Sequence, residues 1–352
     1  MAPTPQPHYN RTVDVFPFDL ATATAPEVAQ VAELQAIVYA EGRPSPTPAP
    51  PEHFVVRLWE PSPTREFHHW VAREDGRVVG LATTGWLTSG ENPHIVEITV
   101  EVHPACRGRG VATALLPHPI AAGRAADRSV AMTEISLDGP GTAYAKARGL
   151  EQRSTDRRSV LDLTKVDLDA LGEWGRPDAD AANDYSLVHW RGACPPELRE
   201  EFALLCTAMN DAPRQELDWE DQIITADMVR AIDETTARRR EDRWTTCARH
   251  ARSGRLVAMT DIIGPLHWPE WAIQDDTVVL REHRGHGLGR WIKAANLARM
   301  AADRPTAVGI ETWNAVTNAH MLAINEAMGF RAVCLWGEWQ GPLDAVEASI
   351  RR

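Results

Sequence analysis

Arg107-Gly108-Arg109-Gly110-Val111-Ala112 and Arg284-Gly285-His286-Gly287-Leu288-Gly289 are one motif, Arg-x-x-Gly-x-Gly/Ala, written twice at an offset of 177 residues. A β-branched run precedes each copy, Ile95 to Val102 or Thr277 to Leu280. A helix-like pattern follows each, so each copy reads as strand, tight turn and helix start. Glycine lets the backbone approach a ligand closely, and the unpaired N–H groups of a helix's first turn point into such a loop. The result is an anion cradle, and a pyrophosphate is its natural guest. Neither copy has the Lys-Ser/Thr of a Walker loop. Where a dinucleotide fingerprint needs a third small residue, the copies hold Thr113 and Arg290.

With 352 residues, 43% hydrophobic and 24% charged, the chain is long enough for two ordinary domains with their own cores. No apolar run approaches the roughly 20 residues a bilayer-spanning helix needs. Met1 to Asn10 lacks the basic and apolar regions of a secretory leader, which makes the cytoplasm the expected location. A formal charge of −12 argues against nucleic acid as the main partner and favours a cationic or amine substrate. Cys106, Cys194, Cys206, Cys247 and Cys334 show neither a C-x-x-C nor a metal spacing, and no metal site is expected.

Around the first loop the pattern predicts a strand over 12–19, a helix from Pro26 to Glu41, a proline-rich loop from Pro44 to Pro51 and a short helix to Trp59. A hairpin follows, turning at Asp75-Gly76. Beyond the loop come a strand from Val130 to Leu137, a helix from Thr142 to Arg148 and a strand from Ser159 to Leu163. The order repeats from Tyr185, with Ser253-Gly254 at the hairpin and a clean helix from Leu288 to Ala302. The expected organisation is one domain over 1–165, a polar linker over 166–183 carrying Gly172, Gly175 and Pro177, and a second domain over 184–352.

The doubled loop resembles motif A of the GCN5-related N-acetyltransferases, or GNAT proteins, and the resemblance covers essentially the whole chain as two tandem copies. It implies an α+β fold in which each half is a mixed, mostly antiparallel sheet flanked by helices, and acetyl-CoA as co-substrate. The implied contacts are Arg107, Gly108, Arg109, Gly110, Val111 and Ala112 in the first loop, and Arg284, Gly285, His286, Gly287, Leu288 and Gly289 in the second. The strands before the loops would add Val100, Glu101 and Val102, and Thr277, Val278 and Val279. The family tends to place an Asn after the next strand, a Tyr seven residues on, and Gly-Phe four after that. The second copy has Asn318, Asn325 in place of the Tyr, and Gly329-Phe330. The first has Asp138, Ala145 and Gly149-Leu150, with Tyr144 one residue off and about 100° round the helix. Pro117 and Pro119 also interrupt the first loop helix, each interior proline costing about 3 kcal/mol. On motif quality the second copy is the expected working site.

Acyl transfer to an amine needs a base, a home for the oxyanion and a proton for the departing thiolate. Carboxylates on the strands before the loops are the candidate bases: Glu97 and Glu101 in the first copy, Asp276 in the second. Trp268 and Trp271 are expected either to pack in a core or to line an acceptor pocket where an aromatic face meets an amine. Asn210 and Asp211 either end a helix or contact the acceptor. The expected activity is transfer of acetyl to an amine of a small molecule, with no nucleic-acid or membrane partner. A CoA-binding sensor without turnover, suggested by the missing tyrosines, and acetylation of a protein or peptide are the alternatives.

Overall fold

The computed structural model describes residues 13–43, 45–177 and 179–351, so the leader argument about Met1 to Asn10 lies outside the described residues. The first half runs β1 (Asp14–Pro17), α1 (Ala25–Gly42), α2 (Pro51–Trp59), β2 (Arg65–Glu74), β3 (Arg77–Leu87) and β4 (Ile95–Val102). After the loop come α3 (Val111–Leu115), α4 (Pro117–Ala125), β5 (Val130–Ser136), α5 (Gly141–Ala147) and β6 (Glu151–Asp162). Local chemistry explains the boundaries. Thr24 and Glu27 form a capping box at the start of α1. Asp75 and Gly76 take φ +48 and +78, the left-handed pair a two-residue hairpin demands. The prolines break the loop helix at Leu116, which keeps helical φ −58 and ψ −32; Pro117 then opens α4, where a missing N–H costs nothing.

Two helices, α6 (Leu168–Gly175) and α7 (Ala179–Asp184), lead into the second half. This half runs β7 (Tyr185–Arg191), α8 (Arg199–Thr207), α9 (Ala226–Arg238), β8 (Glu241–His250), β9 (Leu256–Pro265) and β10 (Trp271–Val279). It closes with α10 (Leu288–Asp303), β11 (Gly309–Ala315), α11 (Ala319–Met328), β12 (Arg331–Pro342) and α12 (Leu343–Ile350). No described helix is long and apolar enough to cross a membrane.

The described strands form one twelve-stranded sheet in the order β1-β2-β3-β4-β5-β12-β6-β11-β10-β9-β8-β7. Each half therefore gives its last strand to the other. β12 lies between β5 and β6, with Trp339 opposite Thr133 on one side and Gln152 on the other. β6 in turn pairs with β11 through Arg157 opposite Asn314. The helices follow the strands: Leu171 of α6 joins Leu161, Ala272 and Leu297 in the second half's core, while Leu343 and Val346 of α12 join Val96 and Ile120 in the first. Each half has the expected mixed, mostly antiparallel sheet flanked by helices, and the exchanged strands join the two into one sheet. Within the expected linker, α6 is a packed helix. The α-carbon of Gly175 lies so close to α10 that a Cβ on it would sit 2.5 Å from the Ala294 side chain. At the seam, Arg158 of β6 and Glu311 of β11 form an ion pair of 2.7 Å, both side chains 1% exposed, and the Tyr39 hydroxyl donates to Glu311.

Candidate active site

Both glycine loops have the same backbone form. Gly108 and Gly110 take φ +73 and +84, Gly285 and Gly287 +84 and +72. Gly110 and Gly287 are the left-handed N-caps of α3 and α10, which turns the first-turn N–H groups of each helix toward the loop. Val111 and Leu288, the next residues, are buried and pin the loops to the core. No atom lies within 4 Å of where a Cβ on Gly108, Gly110 or Gly285 would sit, so the mouths of these cradles are open and fit a phosphate-bearing ligand.

The loop arginines also hold the loops in place. Arg107 Nε donates to the Val102 carbonyl at 3.2 Å and its guanidinium pairs with Glu41 at the end of α1. Arg284 Nε donates to the Val279 carbonyl at 3.0 Å and pairs with Asp211 at 2.8 Å. In each half the arginine clamps the loop to the strand before it, and a carboxylate from the helix above holds the clamp. Asp211, expected as an acceptor contact or helix stop, is that carboxylate; Arg281 and Arg284 hold its carboxyl below the usual range. Arg109 donates to the Ala105 carbonyl, and His286 lies against the Arg284 carbonyl.

Strand geometry separates the halves. β4 pairs with β5 only from Ile95 to Glu97, and β10 with β11 only from Trp271 to Ile273. Beyond these residues the strands part. In the first half the gap opens into a cavity of about 700 Å³ lined by Val100, Glu101, Val102, Gly108 and Gly110. Arg107, Val111 and Ala112 also border it. Burial pushes the Glu101 carboxyl up to about 7, against a hydrogen bond from Gln35 at 3.3 Å and the charge of Arg43. Glu97 stands apart from this chemistry, paired with Arg65. Tyr144, expected to face away, lines the same cavity; its buried hydroxyl has no hydrogen-bond partner among the described residues, and the Arg148 guanidinium lies 4.7 Å from its ring centre. Sequence reasoning missed Trp336, which reaches this cavity from β12 of the other half. With Tyr39 and Trp313 it cages Arg43 at 4.5 to 4.9 Å. The signal was absent because strand exchange alone brings Trp336 there.

The second half disperses its expected site residues. Asp276 and Asn210 line a separate pocket of about 330 Å³ with Asp261 and Arg243. Burial, reinforced by Asp275 and Asp261, pushes the Asp276 carboxyl up to about 8. Asn210 is committed to the loop beneath it, donating to the Gln222 carbonyl and accepting from Arg214, each at 2.7 Å. Thr277 shares a hydrogen bond with Thr260, and the Val278 side chain is core. Asn318 caps α11 by accepting from the Met321 N–H. Asn325 is wholly buried and donates to Asn314 at 2.7 Å, which removes it from ligand contact. Trp268 and Trp271 do not line an acceptor pocket. They stack at 5.7 Å, 2% and 1% exposed, and pack on Ala32, Ala49 and Phe54 of the first half, because β10 begins at Trp271 and turns that ring inward.

Residues 34–138 match the model of the acetyltransferase (GNAT) family. Among solved structures the chain is similar to a tandem GNAT protein from the clavulanic acid biosynthesis pathway, solved without acetyl-CoA. That match has a TM-score of 0.78 at 28% identity and covers 94% of this chain and 99% of that one. A GCN5-related N-acetyltransferase from Sphaerobacter thermophilus shares the fold, with TM-score 0.65 at 12% identity over 94% and 96% of the two chains. No curated protein matches the sequence.

Proposed function

We propose that this chain, whose residues 34–138 match the GNAT family model and whose fold is similar to that of a tandem GNAT protein, transfers acetyl from acetyl-CoA to an amine of a small molecule, in the cleft of its first half. The observation that carries this reading is the single cavity in which the first glycine loop, Glu101 and Tyr144 meet. It shifts the working site from the half with the cleaner motif to the half with the assembled groups.

Acetyl-CoA supplies an activated thioester; the chain supplies position and protons. The N–H groups at the start of α3 receive the pyrophosphate. Where β4 leaves β5, the backbone groups of Thr99 to Val102 on that side lose their strand partner and are free to hold the pantetheine arm and the carbonyl oxygen. The amine nitrogen attacks the acetyl carbon and its proton passes to Glu101, whose raised pKa suits a base near neutrality. As the carbon–sulfur bond breaks, the Tyr144 hydroxyl donates its proton to the thiolate and recovers one from solvent.

Acetyl-CoA consumption against a panel of small amines tests the assignment. For the unaltered protein kcat/KM is expected to rise with pH through about 7, as Glu101 loses its proton. Glu101→Gln should lower it by about 10²- to 10⁴-fold, erase that limb and leave acetyl-CoA affinity intact. If Asp276→Asn abolishes turnover and Glu101→Gln does not, the chemistry belongs to the second half.

A further inference from the structure

Gln35, Tyr39 and Arg43 recur every four residues along α1 and its C-cap, so they share one face of that helix. The face runs from the first-half cleft to the seam. The Gln35 amide donates to Glu101 at 3.3 Å, and the Tyr39 hydroxyl donates to Glu311 at 3.3 Å. One turn further, the Arg43 guanidinium carbon stands 4.5 Å from the Tyr39 ring centre, 4.8 Å from that of Trp313 and 4.9 Å from that of Trp336. The two tryptophans come from β11 and β12 of the second half and brace each other edge to face at 5.5 Å. Trp336 also packs on the end of α1, since a Cβ on Gly42 would sit 3.3 Å from its ring. A guanidinium held by aromatic faces keeps the charge that a carboxylate partner would cancel. Glu311, which bears on Arg43 from β11, is already paired with Arg158. The Arg43 charge is thus left to act on the cleft, whose wall Gly42 and Trp336 share with Glu101.

We infer that Arg43 is a positioning residue for the acetyl transfer proposed above: its caged charge holds Glu101 ready to take the amine proton, and the second half sets that readiness through Trp313 and Trp336. The inference rests on Glu101 being the base. A buried carboxyl keeps its proton unless a hydrogen bond or a nearby cation favours the ionised form. At Glu101 these are the Gln35 amide and Arg43, acting against burial. The other charged groups of the cleft do not replace them. Glu41 and Arg107 pair with each other, and Arg148 is tied to the Ser349 carbonyl and the Thr113 hydroxyl. Glu134 and Asp138 are acids, which disfavour a further anion. Removing the Arg43 charge therefore favours protonated Glu101 and moves its titration to higher pH.

Carbon NMR of the full chain, labelled at the glutamate side-chain carboxyl, tests this without needing the acceptor; the Glu101 signal is the one lost in Glu101→Gln. In the unaltered chain it should titrate at about 7. Arg43→Gln should move the midpoint up by about one pH unit, and Arg43→Lys, which keeps the charge, should move it least. Trp313 does not border the cavity, so Trp313→Leu loosens the cage alone and should move the midpoint part of the way. With any amine that is turned over, the rising limb of kcat/KM should shift equally in Arg43→Gln. The rate at about pH 6 then falls by about tenfold while the plateau above the limb is kept, a pattern that a merely structural loss does not give. Circular dichroism checks that each variant folds, and if Arg43→Gln does not, the Trp313→Leu midpoint decides. An unmoved midpoint, or Arg43→Lys shifting it as far as Arg43→Gln, would overturn the inference even where Glu101→Gln abolishes turnover. Turnover kept in Glu101→Gln would instead overturn the base assignment, and this inference with it.

Discussion

Gly110 and Gly287 sit at φ +84 and +72, in a region where an L side chain is strained. Since both loops hold this form, acetyl-CoA titrated into the protein should bind with a stoichiometry of about two, as expected where two helix N-termini each offer a phosphate cradle. Gly110→Val should remove one of these sites and Gly287→Val the other; an unchanged stoichiometry in either variant would show that its loop is not a cradle. The glycine conformations were legible because a turn's backbone is a local property of its residues. The clamps were not. Glu41 and Asp211 lie far along the chain from Arg107 and Arg284, and nothing in the sequence marks a carboxylate at a helix end as the partner of a distant guanidinium. For Trp268 and Trp271 the structure decides between the two readings: a tryptophan looks the same in sequence whether its ring meets a ligand or, as here, the core of the other half.

Element order and the hairpins were readable from periodicity and turn chemistry, while β6 and β12 were read too short. The expected strands, Ser159 to Leu163 and Arg331 to Trp336, cover part of the observed Glu151–Asp162 and Arg331–Pro342. Polar residues fill the missed part of β6, and two of its arginines find partners across the seam: Arg157 pairs with Glu326 at 2.8 Å and Arg158 with Glu311. Alternation of apolar and polar residues fails as a signal when the inward face is satisfied by charges from another element. The same holds for α6, whose polar sequence reads as a linker although Leu171 is core. Gly175→Val should strike this docking directly, because its Cβ would meet Ala294 at 2.5 Å with the Arg290 carbonyl close behind. A loss of about 1–3 kcal/mol by chemical denaturation is expected for such overpacking. A fully tolerated substitution would mean that α6 is a passive tether.

For the molecule as a whole, exchange makes the two halves one folding unit. A fragment ending at residue 165 lacks β12, and one starting at 184 lacks β6, so each has a slot in its sheet and an unpaired strand edge. Separately expressed, the fragments should be poorly folded or aggregated by circular dichroism and size-exclusion chromatography. Mixed during refolding, they should recover one compact complex. The intact chain should unfold in a single transition, as cooperative units do. A second-half fragment that melts sharply on its own would contradict this view of the seam.

Two separate chains that traded strands in this manner would make a dimer, and its assembly would fail on dilution. Here the donor is covalently attached to the acceptor, and its effective concentration stays high however few molecules are present. The cleft of the first half, completed by Trp336 of the second, therefore survives at any protein level. The cost falls on inheritance: a substitution in β12 is felt in the opposite half's cleft, so neither copy is free to drift alone.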